Sequence, residues 1–241
     1  MGNITNADNV FSYAASFGAT NYEDILSAGI LNEVTENIEK LTDISVRDEN
    51  SKSIIYKLLG KTAEIHLDPV LISNFDVDIK LSPDFKTTEK FLIVYSYTGR
   101  ISDKREVENI IDFAQKNSLK IYTIFCRYKW ADRLIISKTP FQLLKVFQQA
   151  EFVVSDTFHG TIFSIITHRR FCTLIRMSNK EKIMSLLEKF NLKEHAVLDP
   201  SEMNSKIVSE INYKEIDRIR RNELNKTLEY LNKNLGKING Y

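Results

Sequence analysis

Cysteine is nearly absent from this chain: Cys126 and Cys172 are the two in 241 residues. They stand far apart in apolar, strand-like runs, which excludes a disulfide framework and a cysteine-based metal site and leaves core thiols in a reducing compartment. An excess of either charge is also missing. With 33 basic and 32 acidic residues the formal net charge is +1, so there is no global field for nucleic acid or an anionic membrane. No apolar run is long enough to cross a bilayer, and no signal peptide opens the sequence. Met1-Gly2-Asn3 resembles the start of a myristoylation signal, but Asn6 stands where Ser or Thr is required. A cytoplasmic protein is expected, in which the sequons at Asn3 and Asn225 carry nothing. No repeat or low-complexity tract interrupts the chain. What is present is the composition of a globular protein, 43% hydrophobic and 27% charged, long enough for one large domain or two small ones with a sizeable core.

The pattern alternates strands and helices. The first part predicts a helix over 23–41 with Gly29 inside it, a short strand at 44–46, a helix over 51–59 stopped by Gly60, and a strand at 63–67 ended by Asp68-Pro69. The polar stretch 73–90 reads as a linker, with a domain boundary near residue 80. Beyond it come a continuous apolar strand at 91–95, an amphipathic helix over 104–117, a strand at 120–126, a helix over 140–150, a strand at 152–154, a helix over 160–167, a strand at 171–175 and a helix over 180–190. A charged helix over 213–235 closes the pattern. Alternation of this kind predicts a doubly wound, mainly parallel α/β sheet, with strands apolar enough to be buried on both faces.

In a parallel sheet the strand carboxyl ends share one edge, where ligands bind. Read in turn, those ends are Ser96-Tyr97-Thr98-Gly99, Arg127-Tyr128-Lys129, Ser155-Asp156 followed by His159-Gly160, and Arg176-Met177-Ser178. A histidine, several hydroxyls and three cations on one edge suit a small anionic ligand carrying phosphate or carboxylate. His159 stands at a strand-to-helix junction, where it either caps the helix or exchanges protons near neutral pH. Gly160 serves close packing or admits a phosphate to the helix N-terminus. Asp156 either orients His159 or caps the helix. Arg47, after the strand at 44–46, reads as a surface ion pair with Asp48 or Glu49. Asp68 before Pro69 reads as a turn former. His66, His168 and His195 lie in no motif, and 168–170 read as a solvated helix end with cations favourable to the dipole.

The stretch "VVSDTFHGTIFSII" at 153–166 resembles the signature of the polysaccharide pyruvyl transferase family. "YAASFG" at 13–18, "ISVRDENS" at 44–51, "HLDPVLI" at 66–72 and "TPFQLLKVFQQA" at 139–150 agree with it in order. The resemblance implies two Rossmann-like halves of GT-B type: residues 1–80 as a first α/β lobe, and residues 81–241 as a donor-binding domain with a final crossover helix. The family's usual opening segment is not found, so a truncated first lobe is expected. The family pattern carries arginine before the Phe-His pair in some members; Thr157 stands there here, so Arg176, Lys129 or Arg47 must supply the charge.

The activity implied is transfer of the enolpyruvyl group of phosphoenolpyruvate to a sugar hydroxyl pair, giving a pyruvate ketal in cell-envelope polysaccharide. His159 would be the general acid/base and Asp156 its partner in catalysis. Arg47, Ser155, Gly160, Arg176, Lys129 and Tyr97 would bind substrate. No metal and no cofactor is implied beyond phosphoenolpyruvate as donor; the acceptor is a sugar or lipid-linked oligosaccharide, which places the inner-membrane surface among the expected stations. Two alternatives stand beside this: another GT-B-type glycosyltransferase using a nucleotide sugar, and a catalytically incomplete binding or assembly subunit. The missing opening segment motivates the latter, and the apolar face of Ile25, Leu26, Ile30, Leu31 and Val34 adds the expectation of a homo-oligomer or of a partner supplying the missing N-terminal part.

Overall fold

Two short helices stand where the pattern predicts one. In the computed structural model, which describes residue 7 and residues 9–236, α1 (Tyr22–Ser27) and α2 (Leu31–Glu39) are separated by Gly29 at φ +69°. That left-handed conformation suits glycine and cannot continue a helix. The Met1-Gly2-Asn3 signal and the Asn3 sequon lie outside the described residues. Before α1 runs β1 (Phe11–Ala15), and after α2 come β2 (Asp43–Val46), α3 (Glu49–Leu59), β3 (Glu64–Ile65) and α4 (Pro69–Ile72). Asp48 caps α3 through the Ser51 N–H, and Gly60 ends it at φ +65° as expected.

The chain forms two compact units, Met1–Ser73 with Asp217–Tyr241, and Asn74–Ile216. The division falls at 73/74 rather than near 80. The stretch expected as a linker is packed: α5 (Asp76–Leu81) lies in it, Phe75 meets Phe141 at 5.8 Å, and Lys145 Nζ donates to the Ser82 carbonyl at 2.7 Å.

The first unit holds a parallel sheet of order β1-β2-β3 over a core of Ile38, Leu41, Val46, Ile55 and Ala63. Ile25 is buried, while Leu26 and Ile30 are exposed. The final helix, α11 (Tyr213–Leu235), starts in the second unit and continues in the first. There Arg220 Nε donates to the Leu71 carbonyl (2.6 Å), Lys226 Nζ to Ile65 (2.7 Å) and Tyr230 Oη to Ser12 (2.8 Å). So this helix groups largely with the first unit and not with residues 81–241: its polar side chains bond carbonyls of β1, β3 and α4.

The second unit contains β4 (Phe91–Tyr95), α6 (Lys104–Lys116), β5 (Lys120–Ile124), β6 (Arg133–Ile135), α7 (Pro140–Gln149), β7 (Phe152–Ser155), α8 (Phe158–Ile166), β8 (Arg170–Leu174), α9 (Lys180–Lys189), β9 (Ala196–Val197) and α10 (Met203–Lys206). Its sheet is parallel throughout, in the order β6-β5-β4-β7-β8-β9. Counted from β4 this is the 3-2-1-4-5-6 order of a Rossmann fold, with its switch point between β4 and β7. β6 and β9 escape the sequence pattern because three and two residues carry no usable periodicity. Every side chain of β4 is buried. Leu92 and Val94 pack with Ile110, Phe113, Val154 and Cys172, while Tyr95 meets Phe147 and Phe163. Both cysteines are buried free thiols, as the core reading requires.

Two histidines belong to the cores. His66 Nδ1 bonds Ser45 Oγ at 2.7 Å, and its buried Nε2 has no hydrogen-bond partner. His195 Nδ1 bonds the Phe171 carbonyl at 2.9 Å. Burial holds both below the ordinary histidine value of 6.5, and Lys226 adds to this at His66. The unfolded chain therefore takes up protons that the folded chain refuses, and stability is expected to fall as pH drops from about 6.5 towards the lower folded values. Urea denaturation at pH 7 and pH 5 checks this. His66→Gln and His195→Gln together should flatten the difference, and an unchanged pH slope would show that acid acts elsewhere.

Candidate functional site

The loops at the β4/β7 switch point are built from hydroxyl chemistry. Ser155 closes β7 with its Oγ donating to the Tyr95 carbonyl at 2.9 Å and accepting from Thr157 N–H at 3.0 Å. Thr157 is the N-cap of α8: its Oγ1 accepts from Gly160 N–H at 2.9 Å. This accounts for threonine before the Phe-His pair, because capping needs a short oxygen-bearing side chain. Buried hydroxyls farther along are also satisfied, with Thr161 Oγ1 on Thr173 Oγ1 at 2.9 Å and Ser164 Oγ on the Gly160 carbonyl at 2.8 Å. The turn is therefore tied by its own hydroxyls.

His159 occupies the first turn of α8 and is exposed; of the four histidines, two are buried and His168 is half-buried. His168 stacks on Tyr213 at 4.7 Å, at the carboxyl end of the same helix, where Arg169 Nε donates to the Thr167 carbonyl. His159 lies 6.0 Å from Phe163, ring to ring.

Gly160 has a packing role. A Cβ there would stand 2.1 Å from Ser155 Oγ, 2.8 Å from Ser155 Cβ and 2.7 Å from Tyr95 Cδ1. The residue is buried and its N–H already serves Thr157, so the absent side chain admits β4 and β7 to the helix and not a phosphate to the backbone. Ser155 is likewise buried and spent on the turn. Both shape the loop.

Asp156 neither caps α8 nor hydrogen-bonds His159. It is fully buried. Its Oδ2 forms an ion pair with Arg100 Nε at 3.1 Å and accepts from Arg176 Nε at 3.2 Å, while Oδ1 has no hydrogen-bond partner. Arg176 also forks onto Glu106 with contacts of 2.6 and 2.8 Å. Burial works against the Arg176 charge, but Glu106 and Asp156 outweigh it and hold the guanidinium above its ordinary value. Two carboxylates and two guanidinium groups thus form a balanced cluster from three loops and α6. Asn179 Nδ2 joins it by donating to the Asp156 carbonyl at 2.8 Å. Arg176 positions this edge and is not an uncommitted anion grip. Arg127 and Lys129 are exposed and make no ion pair among the described residues. Arg100 is half-buried, its guanidinium 5.8 Å from the exposed ring of Tyr97.

Arg47 belongs to the first unit. It follows β2 and pairs with buried Asp68 at 2.5 Å, not with Asp48 or Glu49. Asp48 instead receives Ser16 Oγ at 2.7 Å. Asp68 also caps α4 through Val70 N–H, in keeping with its reading as a turn former. Arg100 and Glu106 were not among the residues expected at the site. Arg100 follows Gly99 directly, and continuing the strand-end reading by one residue reaches it. Glu106 carries no signal, since an acid in the first turn of an amphipathic helix is ordinary.

Among the described residues no helix is long and apolar enough to cross a membrane, and no cluster of three or more His, Cys, Asp or Glu could hold a metal ion. Comparison with curated proteins gives no match. Similar solved structures include a putative UDP-N-acetylglucosamine 2-epimerase from Listeria monocytogenes (8% identity, TM-score 0.55, 97% of this chain and 68% of that one). An α,α-trehalose-phosphate synthase (UDP-forming) from Burkholderia xenovorans is another (12%, 0.53, 90% and 63%), as is the UDP-GlcNAc 2-epimerase from Neisseria meningitidis (10%, 0.50, 92% and 70%). This chain spans 63% to 70% of their lengths. At such identities the likeness shows a GT-B-type α/β fold and nothing of substrate. The family model for polysaccharide pyruvyl transferases matches residues 6–178, a span that holds the first unit's sheet, the β4/β7 switch point and the His159 turn; this chain belongs to that family of transferases.

Proposed function

We propose that the protein transfers the pyruvyl group of phosphoenolpyruvate to two hydroxyls of a sugar, forming a cyclic ketal and releasing phosphate. The observation that carries this reading is the exposed imidazole of His159 in the first turn of α8, at the switch point of a parallel sheet, in a chain of this family. The reaction requires a proton on the enol carbon and removal of protons from two hydroxyls. In the first step C3 of the donor gains a proton and becomes a methyl group, while the first sugar oxygen bonds C2. In the second, the other sugar oxygen bonds C2 and the C2–O bond to phosphate breaks; the phosphate carries away the charge. An imidazole at the switch point serves both steps, giving a proton to carbon and taking one from a hydroxyl. Arg127, Lys129 and the outer face of Arg100 supply positive charge for carboxylate and phosphate on the same edge. Asp156 holds Arg100 and Arg176 in place and acts through them.

The test is a transfer assay with phosphoenolpyruvate and a panel of methyl pyranosides, following phosphate release and the ketal methyl resonance. Calorimetry runs beside it on the native protein, Lys129→Ala and Arg127→Ala. Donor-dependent phosphate release is expected only with a suitable diol, together with weaker donor binding in both variants. A nucleotide sugar that binds more tightly than phosphoenolpyruvate, with no phosphate release, would overturn the reading in favour of a nucleotide-sugar transferase.

A further inference from the structure

Phe125 is placed at a cost. It is the first residue after β5, its backbone is left-handed at φ +72°, and the residue is 60% exposed. That conformation is unusual for a bulky side chain, and an exposed phenyl ring forgoes the gain of burial. Beside it lies Tyr97, from the loop after β4, 51% exposed. The two rings lie within 18° of parallel with centroids 6.3 Å apart. The loops beneath are tied together. Cys126 Sγ donates to the Ser96 carbonyl at 3.3 Å, and Tyr128 Oη donates to the Tyr97 carbonyl at 3.2 Å. Phe125 also stands edge-on to buried Tyr95 at 4.9 Å. The pair thus offers two nearly parallel, exposed rings on loops that are tied together.

The pair shares a row of rings with His159. Tyr95 meets Phe163 at 5.9 Å, and Phe163 meets His159 at 6.0 Å. The row crosses the β4/β7 switch point, with exposed groups at both ends. The π faces carry partial negative charge and attract the C–H face of a pyranose. The family acts on polysaccharide, so a pyranose is the occupant this chemistry favours over a nucleobase. We propose that Tyr97 and Phe125 form the acceptor subsite, stacking a sugar ring and so setting which sugar is used. This rests on the transferase reading above and adds the residues that select the acceptor.

Saturation-transfer NMR with methyl β-D-galactoside, methyl β-D-glucoside and uridine tests it on the native protein, Phe125→Gly and Tyr97→Ala. Glycine suits the left-handed backbone at 125, so that variant should remain folded. A pyranoside is expected to receive saturation on its C–H face in the native protein and to lose it in both variants. In the transfer assay, KM for that pyranoside should rise about tenfold in Phe125→Gly with kcat unchanged. Pyranoside contact that persists in both variants, its absence from the native protein, or contact with uridine alone would each overturn the subsite. Ring-dependent pyranoside contact in a protein that transfers no pyruvyl group supports the subsite and sinks the donor assignment instead.

Discussion

His159→Ala is expected to lower pyruvyl transfer by about 10²- to 10⁴-fold, the usual contribution of a general acid–base group. The fold should be indifferent to the change. The turn before α8 is held by Ser155 and Thr157 through their own hydroxyls, and His159 is exposed. A surface substitution of this kind usually changes stability by no more than about 0.5 kcal/mol. Transfer and thermal melting are to be measured on the same preparation, with free imidazole added as a rescue agent. Full turnover in the variant would remove His159 from the chemistry. A collapsed melting transition would show that the ring is structural.

Asp156→Ala should have the largest effect on stability, about 3 kcal/mol, because it removes the shared partner of two guanidinium groups in a partly buried cluster. Asp156 is fully buried, while the side chains of Arg100 and Arg176 retain 28% and 23% exposure. That residual access to water is why the lower end of the usual range of about 3–5 kcal/mol is expected. Arg176 keeps its fork on Glu106 at 2.6 and 2.8 Å, which limits the loss further. Urea denaturation of Asp156→Ala, Glu106→Gln and the double variant checks this. The two changes should be non-additive, since both carboxylates hold one arginine. A loss below about 1 kcal/mol with simple additivity would mean that the arginines are satisfied by water and that the cluster does not organise the edge.

Much of this molecule was legible in its residues alone, wherever the deciding forces act within a few positions of one another. Continuous apolar stretches revealed β4 and β7, and the periodicity of 104–117 revealed α6. Gly60 marked the end of α3. The family resemblance and the strand-to-helix junction both led to His159. Local forces also mislead where a single residue breaks a pattern: Gly29 splits a helix that periodicity alone would continue. The polar composition of 73–90 concealed α5, since its anchors are Phe141 and Lys145 on another helix.

What the amino-acid sequence determined by itself was the alternation of elements, the location of the junction and the chemistry available there, because hydrophobic period, capping and turn preference are properties of neighbours in the chain. Tertiary structure alone decided how that chemistry is used. The order β6-β5-β4-β7-β8-β9 places the switch point beside His159. The fold brings Glu106 to Arg176 and Tyr95 against Gly160, which turns an apparent anion grip into a balanced ion cluster and an apparent phosphate cradle into a packing contact. It also draws most of α11 back to the first unit and sets Phe125 beside Tyr97. Each of these depends on segments far apart in sequence meeting in the folded chain, and the energy of such a meeting belongs to the packed structure, not to any stretch of the chain read alone.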